Sequence, residues 1–103
     1  MSEHHGQHQR PTVELIRMLA ERRAVYISEH AYERIRSRGI SSRQLRLALT
    51  HHVEIVEDYP GDPRGHSCQV VCKTPTGDAF RAVCACVEME RGLQLLIITV
   101  HLP

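Results

Sequence analysis

The stretch SSRQLRLALTHHVEIVEDYPGD, residues 41–62, contains the point at which the chain changes from helical to extended spacing. Leu45 and Leu49 lie four residues apart, which predicts a helix with these side chains on its inner face. Val53 and Ile55 then lie two residues apart, which is typical of a strand. We therefore expect helices before this stretch and strands after it, which is an α+β architecture.

Upstream, the chain contains three segments with helical spacing, each preceded by a residue that can cap a helix. Hydroxyl side chains accept hydrogen bonds from the N–H groups of a first turn, and glycine readily adopts the left-handed conformation that ends a helix. The segment 24–27 (AVYI) is short and rich in β-branched residues, so it is either an extended link or an edge strand. The predicted helices run from Thr12 to about Arg23, from Ser28 to Gly39, and from Ser41 or Ser42 to about His51.

Downstream, apolar runs alternate with turn sequences. The stretches PGDPRG (60–65) and TPTGD (74–78) are rich in proline and glycine, and they predict turns. The last apolar run is continuous, which predicts a central and well-buried strand. Together with the helices, this predicts two or three N-terminal helices packed on a four-stranded antiparallel sheet. The strands are expected at about 53–59, 67–73, 79–89 and 93–102.

Length and composition indicate one folded unit. A chain of 103 residues with 42% hydrophobic residues can form one core and is too short for two ordinary domains. We expect a single domain over 11–103 and a disordered polar tail over 1–10. The longest apolar run, 95–100, is too short to cross a membrane. The polar N-terminus lacks the apolar segment of a secretory signal, so a cytoplasmic protein is expected.

Positive charge is concentrated in the first half of the chain, although the formal net charge is only +1. Residues 1–50 contain nine Arg against five Glu, whereas residues 51–103 contain four basic against seven acidic residues. The segment from Arg34 to Arg46 holds five Arg and no carboxylate. It is either an anion-binding face or a solvated helical surface.

His30, Arg34 and Arg38 are spaced four residues apart on the second predicted helix, so they form one line along it. Histidine can transfer protons near neutral pH, and a guanidinium group presents a fixed fork of donors to phosphate oxygens. Such a set could cleave a phosphodiester without a metal ion. The alternative is structural: His30 assists the helix cap, and the arginines pair with nearby carboxylates.

Three residues of the predicted sheet could complete such a site. Thr99 and His101 lie two residues apart on the last strand, so their side chains share a face. If this face is turned toward the helices, both side chains approach the line of His30. Otherwise His101 is a frayed C-terminal residue. Arg81, on the third strand, is either a further phosphate contact or a solvent-facing charge.

The four cysteines are expected as thiols in a reducing compartment. A hairpin closed at the TPTGD turn places Cys68 opposite Cys84 and Cys72 opposite Phe80. Cys86 lies two residues beyond Cys84, so the four thiols share one face. The spacings Cys-x3-Cys and Cys-x-Cys within strands differ from the turn-borne pairs of structural zinc sites. Core thiols are therefore favoured over a metal site, and no cofactor is predicted.

The stretch ISEHAYERIRSRGIS (27–41), followed by a sheet that ends in IITVH (97–101), resembles a bacterial family of unknown function. Its pattern opens with His-Ala, continues through Arg and Arg-Gly-Ile, and closes on a Thr-Val-Tyr-like strand end. That family is similar to the RelE/MqsR-like toxins of bacterial toxin–antitoxin pairs. The resemblance implies a RelE/barnase-like fold and cleavage of RNA without a metal ion. The positions concerned are His30, Arg34, Arg38, Thr99 and, where the family has an aromatic residue, His101.

Three functions remain open at this stage. A toxin-type RNA endonuclease would use His30 or His101 as base or acid, and the resemblance implies RNA, free or on the ribosome, and a small zinc-finger antitoxin as partners. A non-catalytic module would instead dock an acidic protein on the arginine-rich face. A zinc or thiol protein would use the cysteines. An aromatic content of 4% favours recognition through phosphate over base stacking. The expected phosphate contacts are Arg81, Arg43 and Arg46.

Overall fold

The structure, a computed structural model, describes residues 7–101 and confirms the α+β class. None of the helices in this part of the chain is long and apolar enough to cross a membrane. The helices are α1 (Val13–Glu21), α2 (Glu29–Ser37) and α3 (Ser42–His51). The strands are β1 (His8–Gln9), β2 (Val25–Ile27), β3 (His52–Tyr59), β4 (Ser67–Lys73), β5 (Ala79–Met89) and β6 (Gly92–His101).

Each helix begins directly after a hydroxyl residue that caps it, close to the start predicted from the sequence. Thr12 caps α1, and the hydroxyl of Ser28 accepts a hydrogen bond from the N–H of Ala31 at 3.0 Å at the start of α2. At α3 the bonds are reciprocal: the Ser41 hydroxyl accepts from the N–H of Gln44 at 3.1 Å, and the Gln44 side chain accepts from the N–H of Ser41 at 2.8 Å. Each cap contributes about 1 kcal/mol, so these boundaries are encoded locally.

The sheet is mixed, and it is larger than the four antiparallel strands predicted from the sequence. Its order is β2-β6-β5-β4-β3, with β1 also paired to β5. The predicted antiparallel meander is present in β3 to β6. The sheet differs from the predicted one because β2 is a further strand that pairs in parallel with β6, with Val25 opposite Leu95. Because β2 has three residues, its side chains show too little alternation to indicate a partner or a direction.

A second correction concerns the polar N-terminal segment, which was predicted to be disordered through Arg10. His8 and Gln9 form β1, which pairs antiparallel with Val87 and Cys86 of β5. Both β1 and β4 pair with the same edge of β5. Strand β1 pairs with the part of that edge that lies beyond the start of β4. Backbone pairing does not require apolar side chains, so a polar sequence gives no sign of it. The remainder of the predicted tail, residues 1–6, lies outside the described residues.

The core lies on the face of the sheet that α1 and α3 cover. Apolar side chains of these helices meet those of the strands, and α2 adds Ala31 and Ile35 from the side of β6. Among the core side chains that are nearly or completely excluded from solvent are Ile16, Leu19, Leu45, Leu49, Val70, Leu95 and Ile97. These side chains belong to one contiguous hydrophobic cluster.

The four cysteines belong to this core. Cys68 lies opposite Cys84 and Cys72 opposite Phe80, as the hairpin predicted, and the Sγ atoms of Cys68 and Cys84 are 3.9 Å apart. All four thiols are excluded from solvent. Burial raises the pKa of Cys72 and of Cys86 to about 12. These residues therefore pack as small apolar groups.

We expect the cysteines to resist alkylation in the folded protein. A thiolate is the reactive form, and a buried thiol with a raised pKa remains protonated at about pH 8. The four thiols should react with iodoacetamide many-fold faster in guanidinium chloride than in buffer, as measured by mass spectrometry. Cys68 differs, because its hydrogen bond with Cys84 lowers its pKa, whereas the pKa values of Cys72, Cys84 and Cys86 are raised. Unfolded thiols ionise above about pH 8.5 while these three stay protonated, so the free energy of unfolding should fall as the pH rises beyond that value. Equal alkylation rates in the two solvents would contradict this packing.

Candidate functional site

The face of the sheet away from α1 and α3 carries a cleft of about 520 Å³. Side chains of β5 and β6 form its floor, and its walls come from α2, from β1 and from loop 60–66, which joins β3 to β4. The floor consists of Ala85, Val87, Leu96 and Ile98. The walls consist of His8, Ser28, His30, Arg64, Gly65 and Met89. An apolar floor with polar walls suits a ligand that carries a flat apolar group and hydrogen-bonding substituents.

Helix α2 lies along the part of β6 that β2 leaves unpaired. Ser28 fixes its start, since its N–H donates to the carbonyl of Ile97 and its hydroxyl to the carbonyl of Ile98, both at 3.0 Å. From Ser28 to Arg34 a helix rises about 9 Å, and from Ile98 to His101 a strand advances about 10 Å. The two elements therefore advance by similar distances, and Arg34 lies beside His101.

A bulge in β6 decides which way His101 points. Cys84 of β5 pairs with Ile97, whereas Val83 pairs with Thr99, so Ile98 is an extra residue in β6. Without it, Thr99 and His101 would share the core face with Ile97. The extra residue turns both of them to the cleft face. The same-face prediction for these two residues therefore agrees with the structure, but the shared face is the one that α1 and α3 do not cover.

Arg34 and His101 are in contact. The Nη2 atom of Arg34 lies 3.4 Å from Nδ1 of His101, and both side chains are partly buried. A guanidinium group can only donate hydrogen bonds, so Nδ1 is the acceptor and the proton of the neutral ring is on Nε2. This contact links the line of residues on α2 to the last strand.

Arg81 lies on β5 directly opposite His101, so the two side chains share the cleft face. Its Nη1 atom donates to Oε1 of Gln69 at 2.9 Å, which holds the guanidinium over the strands. Thr99 lies on the same face, opposite Val83. We refer to Arg34, Arg81, Thr99 and His101 as the His101 cluster.

The other residues predicted from the sequence have different positions. His30 is exposed and lines the cleft next to Ile98. Arg38 is an exposed residue at the end of α2, one turn beyond Arg34. Arg43 and Arg46 border a depression between α1 and α3, on the opposite side of the sheet from the cleft. The inner stripe of α3 packs against the core face, so its outer residues point away from the His101 cluster.

Arg64 is a wall residue that sequence reasoning did not identify. Its Nε and Nη2 atoms donate to Oδ1 and Oδ2 of Asp62 at 3.1 and 2.9 Å, and the Ser67 hydroxyl donates to Oδ2 at 2.8 Å. Hydrogen bonds from the Arg64 side chain and backbone, followed by that of Ser67, hold the pKa of Asp62 well below its usual range. The sequence PGDPRG indicates a turn, and nothing in it indicates that the turn folds back over the sheet.

His8 is the second wall residue that was not identified. Its ring packs against Gly65, where a Cβ atom would overlap the imidazole, and Gly65 has a φ of 115° that favours glycine. The Nδ1 atom of His8 is buried and has no hydrogen-bond partner among the described residues. His8 was predicted to lie in a disordered tail, so no pattern pointed to a role in a site.

The assembled groups define the chemistry that is available. The cleft and the adjoining His101 cluster offer imidazole and guanidinium groups that can bind an anion and transfer protons. Within residues 7–101, no cluster of three or more His, Cys, Asp or Glu side chains is arranged to hold a metal ion.

These features define a small α+β protein whose sheet has one face open and lined with histidine and arginine side chains. A family model described as "Domain of unknown function (DUF4258)" matches residues 27–101. The match covers about three quarters of the chain, so the chain belongs to this family. The matched region contains α2 and the whole His101 cluster. No curated protein and no solved structure matches the chain.

Proposed function

We propose that this protein is a metal-independent RNA endonuclease of the toxin type. The observation that supports it best is the contact of Arg34 with His101, with Arg81 opposite His101 on the next strand. Cleavage of a phosphodiester without a metal ion needs one group that moves a proton and cationic groups that stabilise charge on the phosphate. The His101 cluster supplies both.

The contact between Arg34 and His101 suggests how His101 becomes available as a base. At 3.4 Å its hydrogen bond to Nδ1 of His101 is long, and therefore weak. A phosphate oxygen is a stronger acceptor for a guanidinium group than a neutral imidazole, because both partners are then charged. When RNA binds, Arg34 moves onto the phosphate, and Nδ1 becomes free to accept the proton of the 2′-hydroxyl.

The remaining steps follow from the same groups. The 2′-oxygen attacks phosphorus, and the bond between phosphorus and the 5′-oxygen breaks. Arg34 and Arg81 stabilise the charge on the phosphate oxygens during this step. A protonated His30, on the adjoining wall of the cleft, gives its proton to the leaving 5′-oxygen. The products are a 2′,3′-cyclic phosphate and a 5′-hydroxyl end, and no oxidant or reductant takes part.

A toxin–antitoxin pair is the proposed setting. The order of helices before an antiparallel meander, and the His and Arg side chains at the site, are features that the RelE/MqsR-like resemblance leads us to expect. A net charge of +1 gives little unaided attraction to a polyanion, which favours RNA presented on the ribosome in the cytoplasm. A small antitoxin of the zinc-finger type would inhibit the enzyme by covering the cleft.

The test is cleavage of end-labelled RNA by the purified protein, for free RNA in EDTA and for RNA on ribosomes in buffer with Mg²⁺. We expect the wild-type protein to cleave, and Arg34→Ala to lose about 10²-fold or more, because a donor to the developing charge is removed. Arg36→Ala is the matched control, since Arg36 lies on α2 but lines a separate depression with Glu33 and Ser37. It should cleave like the wild type.

Two results would count against the proposal. If Arg34→Ala and Arg36→Ala cleave equally well, the His101 cluster is not the catalytic site. If the wild-type protein leaves RNA intact in both settings, the chain is better described as a non-catalytic module that docks an acidic partner on its arginine-rich surface.

A further inference from the structure

A second depression, of about 710 Å³, lies at the β2 edge of the sheet, next to the cleft, and its residue Arg23 also borders the depression between α1 and α3. It is formed where α1 ends, along β2 and at the turn between β5 and β6. Three guanidinium groups and one phenol line it, with a single carboxylate, that of Glu90. The cationic and aromatic lining residues are Arg22, Arg23, Arg91 and Tyr26. We refer to these four as the distal subsite.

The backbone of Arg23 is held in a conformation that favours glycine. Its φ is 59°, and it is the one residue other than glycine with a positive φ among residues 7–101. The N–H of Arg23 donates to the carbonyl of Ala20 at 3.1 Å, and that of Ala24 to the carbonyl of Leu19 at 2.8 Å. This is the hydrogen-bond pattern of a helix end at which glycine is usual. An arginine here costs stability, and such costs are concentrated at functional sites.

The distal subsite adjoins the cleft. Met89 lines both depressions. Tyr26 pairs with Leu96, which belongs to the floor of the cleft, and the Tyr26 side chain is 56% exposed. From Gln94, at the distal subsite, to His101 the strand β6 extends about 23 Å. Along this length of β6 the distal subsite comes first, then the apolar floor of the cleft, and then the His101 cluster.

We propose that the distal subsite and the cleft together bind single-stranded RNA, with a phosphate at Arg22, Arg23 and Arg91 and a base stacked on Tyr26. The proposal rests on the proposed function and adds to it a binding subsite remote from the scissile phosphate. Among the described residues, the ion pairs are Arg64–Asp62 and His66–Asp58, so none of the three arginines is neutralised by one of them. A cationic groove with a stacking aromatic ring suits a single strand of about four nucleotides or more. A duplex offers no unstacked base to Tyr26.

The test measures binding separately from cleavage. A fluorescent single-stranded oligonucleotide with 2′-O-methyl groups lacks the attacking hydroxyl, so it reports affinity alone. We expect Tyr26→Ala to raise its Kd by about 5–100-fold through loss of stacking. Arg91→Gln should also weaken binding and lower the salt dependence of log K by about 0.7. Arg17→Gln is the matched control, because Arg17 is exposed on α1 and lines neither depression.

The decisive variant is Arg23→Gly. Glycine removes the backbone cost at φ 59°, so Tm should rise by about 2–8 °C while binding weakens. A more stable protein that binds less tightly cannot be explained by misfolding. The proposal is overturned if Arg23→Gly, Tyr26→Ala and Arg91→Gln all bind like Arg17→Gln, or if the wild-type protein does not bind the oligonucleotide. The nuclease proposal is judged separately, by cleavage of ordinary RNA.

Discussion

Replacing His101 with alanine is expected to lower the rate of RNA cleavage by about 10²–10⁴-fold and to leave the protein folded. The large effect is expected because the Nδ1 atom of His101 is the proposed proton acceptor, and Arg34 is its partner at 3.4 Å. The small effect on folding is expected because the side chain lies on the cleft face and is absent from the core cluster. The measurements are the single-turnover cleavage rate in EDTA and the Tm.

Two variants with the same ring separate proton transfer from packing. His101→Tyr and His101→Phe both place an aromatic ring at the end of β6, but only tyrosine keeps a hydroxyl that can exchange a proton. We expect His101→Tyr to retain part of the rate and His101→Phe to be as slow as His101→Ala. Equal rates for the tyrosine and phenylalanine variants would show that a phenol cannot replace the imidazole at this position. A rate for His101→Ala within about twofold of wild type would remove His101 from the mechanism.

The helices and the meander could be predicted because their signals are local. A cap needs one side chain and the next turn of backbone, so Thr12, Ser28 and Ser41 marked the starts of the helices from sequence alone. The long strands are extended runs of seven or more residues, and turns rich in proline and glycine separate β3 from β4 and β4 from β5. Such features depend on near neighbours in the chain, which a sequence displays directly.

The short strands β1 and β2 could not be predicted in this way, because tertiary pairing creates them. The parallel direction of β2 depends on where the chain leaves α1. At that point the N–H of Leu95 donates a hydrogen bond to the carbonyl of Ala24 at 2.8 Å, which holds the start of β2 beside β6. This pairing determines where α2 runs, since β2 ends at Ile27, directly before the Ser28 cap of α2. The position of α2 beside β6 is therefore a property of the whole fold.

Only the local features of the candidate site could be predicted, because the rest of it depends on contacts between distant parts of the chain. The spacing of His30 and Arg34 is a helical property, and it correctly put them on one line. The orientation of His101 depends on the bulge at Ile98, for which the continuous apolar run IITV gives no signal. Arg64 reaches the cleft because the turn that carries it folds back onto the sheet, held by Asp62. Contacts between distant parts of the chain thus determine which of the candidate residues lie close together.

The contact of α2 with the core predicts the largest loss of stability from a single substitution near the site. Ile35→Ala should lower the free energy of unfolding by about 2–5 kcal/mol, whereas Ile35→Val should lower it by about 0.5–1.5 kcal/mol. Ile35 is 1% exposed, and with Ala31 it forms the buried face of α2. A domain of this size has about 5–15 kcal/mol in total, so the alanine variant loses a large fraction of it.

The loss should be concentrated in α2, because a helix of nine residues is not stable without tertiary contacts. Urea denaturation measures the global effect, and hydrogen exchange should show faster opening of α2 amides than of β5 amides in Ile35→Ala. Leu47→Ala is the matched control, since Leu47 is an aliphatic residue on α3 that is 46% exposed and should change stability by no more than about 0.5 kcal/mol. If both variants unfold at the same urea concentration, Ile35 does not anchor α2. When α2 opens in Ile35→Ala while the sheet stays protected, the cleavage rate should fall in proportion to the fraction of molecules in which α2 is folded, because His30 and Arg34 both lie on α2.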